Sequence, residues 1–175
     1  MSSLNKIGFF SEDFFSYYED ADLGWRIWLL GYECMLSSGS VVYHKYDFSR
    51  STKSYFYMER NRYIMIFQNY KIRTLFFLSP ALFLMEIFTL ARSFMNRYWI
   101  VRLKMYNYFL DLENWKKILY NKKVIFAQRV ASDKEIFAKM SGKISYQESA
   151  GVLILYIVNP FLSLYYRLVL KILIW

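Results

Sequence analysis

Residues 17–26 read YYEDADLGWR, placing three carboxylates and an arginine in ten positions between aromatic flanks. Ionising Glu19, Asp20 and Asp22 together is unfavourable unless something stabilises the charge. A helix beginning here supplies that stabilisation, because its free amide groups and the positive end of its dipole favour acids in the first turn. Leu23, Ile27 and Leu30 follow at i, i+4 and i+7, a stripe that one helical face would bury, and Gly31 stands where a C-terminal glycine ends a helix. The spacing predicts a helix over 19–30 with the carboxylates at its mouth. Two readings share that geometry: ordinary helix punctuation, and a cluster that keeps one carboxylate ready to accept a proton.

Working outward, Val41, Val42 and Tyr43 read as a short strand leading to His44, the one histidine of the chain. A lone histidine is either a packed, hydrogen-bonded side chain or one member of a ligand set completed from elsewhere. Residues 53–70 read as an amphipathic helix capped by Ser51 or Ser54, with Tyr57, Asn61 and Ile64 along one side and Arg60 and Arg62 on different faces. Either arginine is able to grip a diphosphate through paired charge-assisted hydrogen bonds, or to remain a solvated helix charge. Asp20-Ala21-Asp22 also matches the Asp-x-Asp signature of metal sites. That signature ordinarily closes an apolar strand, where a loop presents both carboxylates to a cation, and residues 14–18 are apolar enough for one. The onset of a helix at the acids favours the other reading.

Three segments in order, GFFSEDFFSYYEDADLGWRIWLLGYE (8–33), SVVYHKY (40–46) and KSYFYMERNRYIMIF (53–67), together resemble the C-terminal part of the catalytic domain of glycosyltransferase family 2, especially its rhamnosyltransferase-like members. The resemblance covers roughly the first 70 residues and implies an α/β fold. The chain would be the C-terminal portion of a GT-A domain, mostly helical here with one or two short strands. It implies inverting transfer of a sugar from a nucleotide-diphosphate donor to a hydroxyl acceptor, free or lipid-linked, in the synthesis of a cell-surface glycan or lipid-linked saccharide. By that resemblance Asp20 is the general base, Glu19 orients the acceptor or tunes Asp20, and Asp22, Arg26, Arg60 and Asn61 belong to the substrate site. His44 would help to hold a divalent metal, Mg or Mn, beside the diphosphate. The nucleotide-binding half of the family precedes this region and is not in the sequence. The chain is therefore expected to be a fragment, the complement of a separately encoded N-terminal half, or a non-catalytic remnant serving interaction, and to lack activity alone.

Composition sets the remaining bounds. The chain is 56% hydrophobic and 22% aromatic yet carries a net charge of +9, a combination that points to a membrane surface. Its aromatics concentrate in long apolar segments instead of alternating with Lys and Arg on a sheet, which argues against nucleic acid as a partner. Cys34, the single cysteine, forms no internal disulfide and is expected in a core strand. Two apolar segments, 74–91 and 150–166, are each near the minimum for a membrane span, and each contains a proline and a polar residue, Pro80 with Glu86 and Pro160 with Asn159. Residues 92–149 between them hold 12 Lys or Arg against 5 Asp or Glu, favouring the cytoplasmic side. Nucleotide-sugar donors place the first part there as well. The organisation expected is thus a catalytic part over 1–73 and a helical membrane-associated region over 74–175 at the cytoplasmic face. Its first apolar segment would lie in the leaflet, with Arg92, Arg97 and Arg102 near anionic headgroups; the second is free to cross.

Overall fold

The structure, a computed structural model, describes residues 8–43, 51–144 and 154–175. It consists of helices α1 (Glu19–Leu29), α2 (Thr52–Asn69), α3 (Ile72–Met95), α4 (Trp99–Leu110), α5 (Leu112–Gln128), α6 (Asp133–Ala138), a π-helical turn (Ile154–Val158) and α7 (Asn159–Ile172). Among the described residues there is no strand, so the expected α/β class, the mostly helical C-terminal portion of a GT-A domain with one or two short strands, is corrected to an all-helical fold. The physical reason is pairing: a strand persists only where another satisfies its backbone groups. Val41, Val42 and Tyr43 are accordingly irregular and 70–94% exposed, and residues 14–18 form turns. Cys34, expected in a core strand, is exposed.

The chain divides into two compact units, one of residues 1–69 and 89–130, the other of 70–88 and 131–175. In the first, α2 packs on α4 and α5, and α1 on α2. Phe14, Leu29, Ile64, Val101, Met105 and Ile118 are buried there, and the Phe67 ring lies 5.3 Å from that of Trp115. The end of α1 is as the sequence indicates. Gly31 adopts φ +78°, and the Tyr32 and Gly31 amides donate to the Ile27 and Trp28 carbonyls at 3.1 and 2.9 Å, a Schellman closure. The buried face of α1 differs from the expected one. Asp22, Trp25, Arg26 and Leu29 face inward, while Leu23, Ile27 and Leu30 stay half-buried. The inward polar pair neutralises itself, so a stripe read from hydrophobicity alone misplaced the face. Ser51 caps α2, accepting from the Ser54 amide at 3.1 Å. Arg102 is 2% exposed and donates to Glu59 and to Thr89 Oγ1, which removes it from the arginines expected to face headgroups.

In the second unit polar groups lie inside. Asp133 is fully buried and accepts from the Lys71 amide at 2.9 Å and from the Thr74 hydroxyl; Thr74 in turn accepts from Trp175 Nε1 at 2.9 Å. Ser132 and Glu135 form the capping box that their spacing predicts at the start of α6. Asn159 receives the Ile144 amide at 2.8 Å and returns a bond to the Ile144 carbonyl at 3.1 Å. Gly142 packs against Tyr166 so closely that an added Cβ would lie 2.6 and 2.7 Å from that residue's Cβ and Cγ. These atoms cannot swing aside as a side-chain tip can. Gly142→Ala is expected to lower stability by about 1–3 kcal/mol in urea titrations, through overpacking; an unchanged midpoint would show that the 142 segment yields without resistance.

Helix α3 has 24 residues, a mean hydropathy of 1.8 over its most apolar window, and only 6% of that window buried. At about 1.5 Å per residue it is about 36 Å long, enough to cross a hydrocarbon layer of about 30 Å. Pro80 lies within it without ending it. The Phe76 carbonyl, which the missing Pro80 amide would have served, accepts from the Ser79 hydroxyl at 2.7 Å.

Candidate functional site

The segment leading into α1 holds Phe15, Tyr17 and Tyr18 at φ +58°, +66° and +69°. Left-handed backbone is costly for side chains of this size, about 1–2 kcal/mol each, and persists only where the surroundings impose it. Here α2 imposes it. Asn61 Nδ2 lies 2.8, 2.8 and 2.7 Å from the carbonyls of Phe14, Ser16 and Tyr17; with only two amide hydrogens, it shares them among three acceptors. Arg60 donates from Nη2 to the Asp13 carbonyl at 2.7 Å, and from Nε and Nη2 to Asn61 Oδ1 at 2.9 and 2.7 Å, which orients the Asn61 amide towards the loop. Its guanidinium carbon sits 5.5, 4.9 and 5.1 Å from the ring centres of Phe56, Tyr57 and Tyr108. Burial lowers the pKa of Arg60, against which Tyr108, Tyr57 and Asp13 act. Burial also pushes the Tyr108 phenol up, with Arg60 opposing.

The loop delivers the three acids to three environments. Asp20 is exposed, and its Oδ1 accepts from the Ala21 amide at 2.7 Å. Glu19 is half-buried, with Oε2 shielded from solvent and lacking a hydrogen-bond partner. Asp22 is fully buried and turns to α2. It accepts from Arg26 Nε at 2.8 Å, Gln68 Nε2 at 2.7 Å and Asn69 Nδ2 at 2.9 Å. Arg26 extends the network by donating from Nη2 to the Phe9 carbonyl at 2.8 Å. Asp20 and Asp22 thus point to solvent and to core, and do not converge on one cation as the Asp-x-Asp alternative requires. The i, i+4 pairing of Asp22 with Arg26 is present at 2.8 Å, inside the core.

Around this node lie residues that the sequence reading did not single out. Gln68 and Asn69 grip Asp22 from the last turn of α2. Their signal was the polar run at 61, 68 and 69, spaced to share one helical face, which periodicity weighted towards apolar residues discards. Tyr18 is the other: burial pushes its phenol up, Arg62 opposes and Glu59 adds to the rise. Arg62 itself pairs with Glu59 at 3.1 Å. His44 lies outside the described residues. Among the described residues no group of three or more His, Cys, Asp or Glu side chains is placed to hold a metal, so the cation implied by the resemblance does not fit these residues alone and no step is assigned to it.

Asn61→Ala is expected to remove most of the loop clamp and lower stability by about 2–3 kcal/mol, because the carbonyls of Phe14, Ser16 and Tyr17 lose the Asn61 amide and Arg60 Nε loses its acceptor, while Nη2 keeps the Asp13 carbonyl. Arg62→Ala, at a half-buried ion pair, is expected to fall within about 1 kcal/mol. Equal urea midpoints for the two variants would mean that Asn61 does not hold the loop.

No family model, curated protein or solved structure matches this chain.

Proposed function

We propose that the chain carries the acceptor-activating carboxylate of an inverting sugar transferase, and that Asp20 is that carboxylate. One observation carries this reading. Three non-glycine residues in left-handed backbone, clamped by Arg60 and Asn61, lead directly into Glu19 and an exposed Asp20. Backbone strain held in place by a dedicated clamp clusters at functional sites, and here it sets two carboxylates at a helix N-terminus.

The Asp20 carboxylate would take the proton of an acceptor hydroxyl as that oxygen attacks the anomeric carbon of a nucleotide-diphosphate sugar. The new carbon–oxygen bond forms as the bond to the diphosphate breaks, the diphosphate leaves with the electron pair, and the configuration inverts. Glu19, with one oxygen free of partners, would orient the acceptor. In this assignment Asp22, Arg26, Arg60 and Asn61 act on substrate through the loop and helix that they hold. The donor contacts, a divalent cation with His44 among its ligands, and the nucleotide-binding half belong to the same proposal, with the cytoplasmic face of a membrane as its location.

The test is transfer of labelled sugar, followed together with donor binding, by the enzyme assembled with its nucleotide-binding half. Asp20→Asn should remove transfer and keep donor binding. Transfer near the unaltered rate would end the assignment. A second reading, a non-catalytic membrane-associated protein, is favoured by the exposure of α3, and that result would support it.

A further inference from the structure

Helix α7 is turned inside out relative to a helix of a water-soluble domain. Its inward face carries Asn159 and Ser163, bonded to Ile144 and to the Gly142 carbonyl, together with Val169 and the Tyr166 hydroxyl, which donates to the Phe137 carbonyl at 3.1 Å. Its outward face carries Phe161, Leu164, Leu168 and Ile172 at i, i+3, i+7 and i+11, each 48–58% exposed. Residues 154–175 contain Arg167 and Lys171, both exposed, and no acid. At about 100° per residue the two cations fall along one edge of the apolar stripe.

We propose that this stripe is a docking surface for an anionic lipid bilayer, with α7 lying in the membrane plane, its apolar residues among the acyl chains and Arg167 and Lys171 at the phosphate level. The occupant follows from charge and length. A partner protein would need acids to match an edge bearing only cations, whereas anionic headgroups supply that charge along any edge. From Ile154, through the π-helical turn, to the residue before the first cation, Arg167, the helical run has 13 residues, about 20 Å, too short to cross a layer of about 30 Å. Its inward polar groups are already bonded to protein, so only one face is available to lipid. The inference is independent of the sugar-transfer reading and of whether α3 crosses the membrane.

The experiment reads α7 directly. Cys34, the only cysteine, is replaced in a Cys34→Ser background, and an environment-sensitive dye is attached at Leu168→Cys or at Arg167→Cys. With phosphatidylcholine vesicles containing phosphatidylglycerol, the dye at 168 should shift to the blue and be quenched by a nitroxide on the lipid chain at least about twofold more than the dye at 167, which lies at the edge. Vesicles of phosphatidylcholine alone should give a weaker effect. Flotation of Leu164→Glu/Leu168→Glu should fall at least about tenfold if α7 is the main anchor, since two apolar contacts become buried charges. Three results would overturn the proposal: a dye at 168 that stays aqueous, equal quenching at 167 and 168, or a blue shift without lipid quenching that grows with protein concentration, which would mean that a second copy covers the face.

Discussion

Asp20→Asn is expected to slow sugar transfer by about a hundredfold to ten-thousandfold in the assembled enzyme, the range for loss of a positioned general base. The substitution is nearly isosteric and its site is exposed, with one local bond to the Ala21 amide that an Asn oxygen also accepts, so the fold should survive. Donor binding should be unchanged, which separates this outcome from collapse of the site. Glu19→Gln provides the comparison. It should alter acceptor affinity more than turnover if Glu19 orients the acceptor, and the two variants should not be interchangeable. Loss of donor binding in Asp20→Asn would remove the residue from the role of base and place it in substrate or scaffold contacts.

Asp22→Ala should have the largest effect on stability, about 3–5 kcal/mol, which is much of what a domain of this size possesses. The carboxylate is fully buried and is the shared acceptor for Arg26, Gln68 and Asn69. Its removal leaves a guanidinium that is 8% exposed without its counter-charge and takes one acceptor from each of two buried amides, of which Asn69 keeps the Met65 carbonyl. The double variant Asp22→Ala/Arg26→Met should recover part of the loss, because it removes the stranded charge along with its cause. Urea unfolding of the three variants decides the matter. A double variant less stable than Asp22→Ala alone would show that Arg26 stabilises the unit mainly through the Phe9 carbonyl and not through the ion pair.

The contrast between Asp20 and Asp22 shows how far the sequence could be read. Two positions apart in the same motif, both are acids in the first turn of a helix, and nothing in composition or spacing separates them. The structure separates them through α2, whose Gln68 and Asn69 capture one and leave the other in solvent. The same holds for Arg60 and Asn61. Their adjacency was legible and a diphosphate was the expected object of the grip; in the structure both side chains hold the carbonyls of residues 13, 14, 16 and 17. Contacts across more than 40 residues of sequence leave no local periodicity to read.

Local rules by themselves determined the helices and their ends: the acids at the start of α1, Gly31 at its close, Ser51 before α2, and the Ser132–Glu135 box at α6. Each depends on backbone groups within one turn of the residue concerned, so the sequence contains the whole cause. The tertiary structure alone decided that residues 41–43 form no strand, since pairing needs a partner that local sequence cannot supply. It also decided which face of α1 is inside and which of three neighbouring carboxylates is buried. Burial of a charge is settled by the groups that come to meet it, and those arrive from distant parts of the chain.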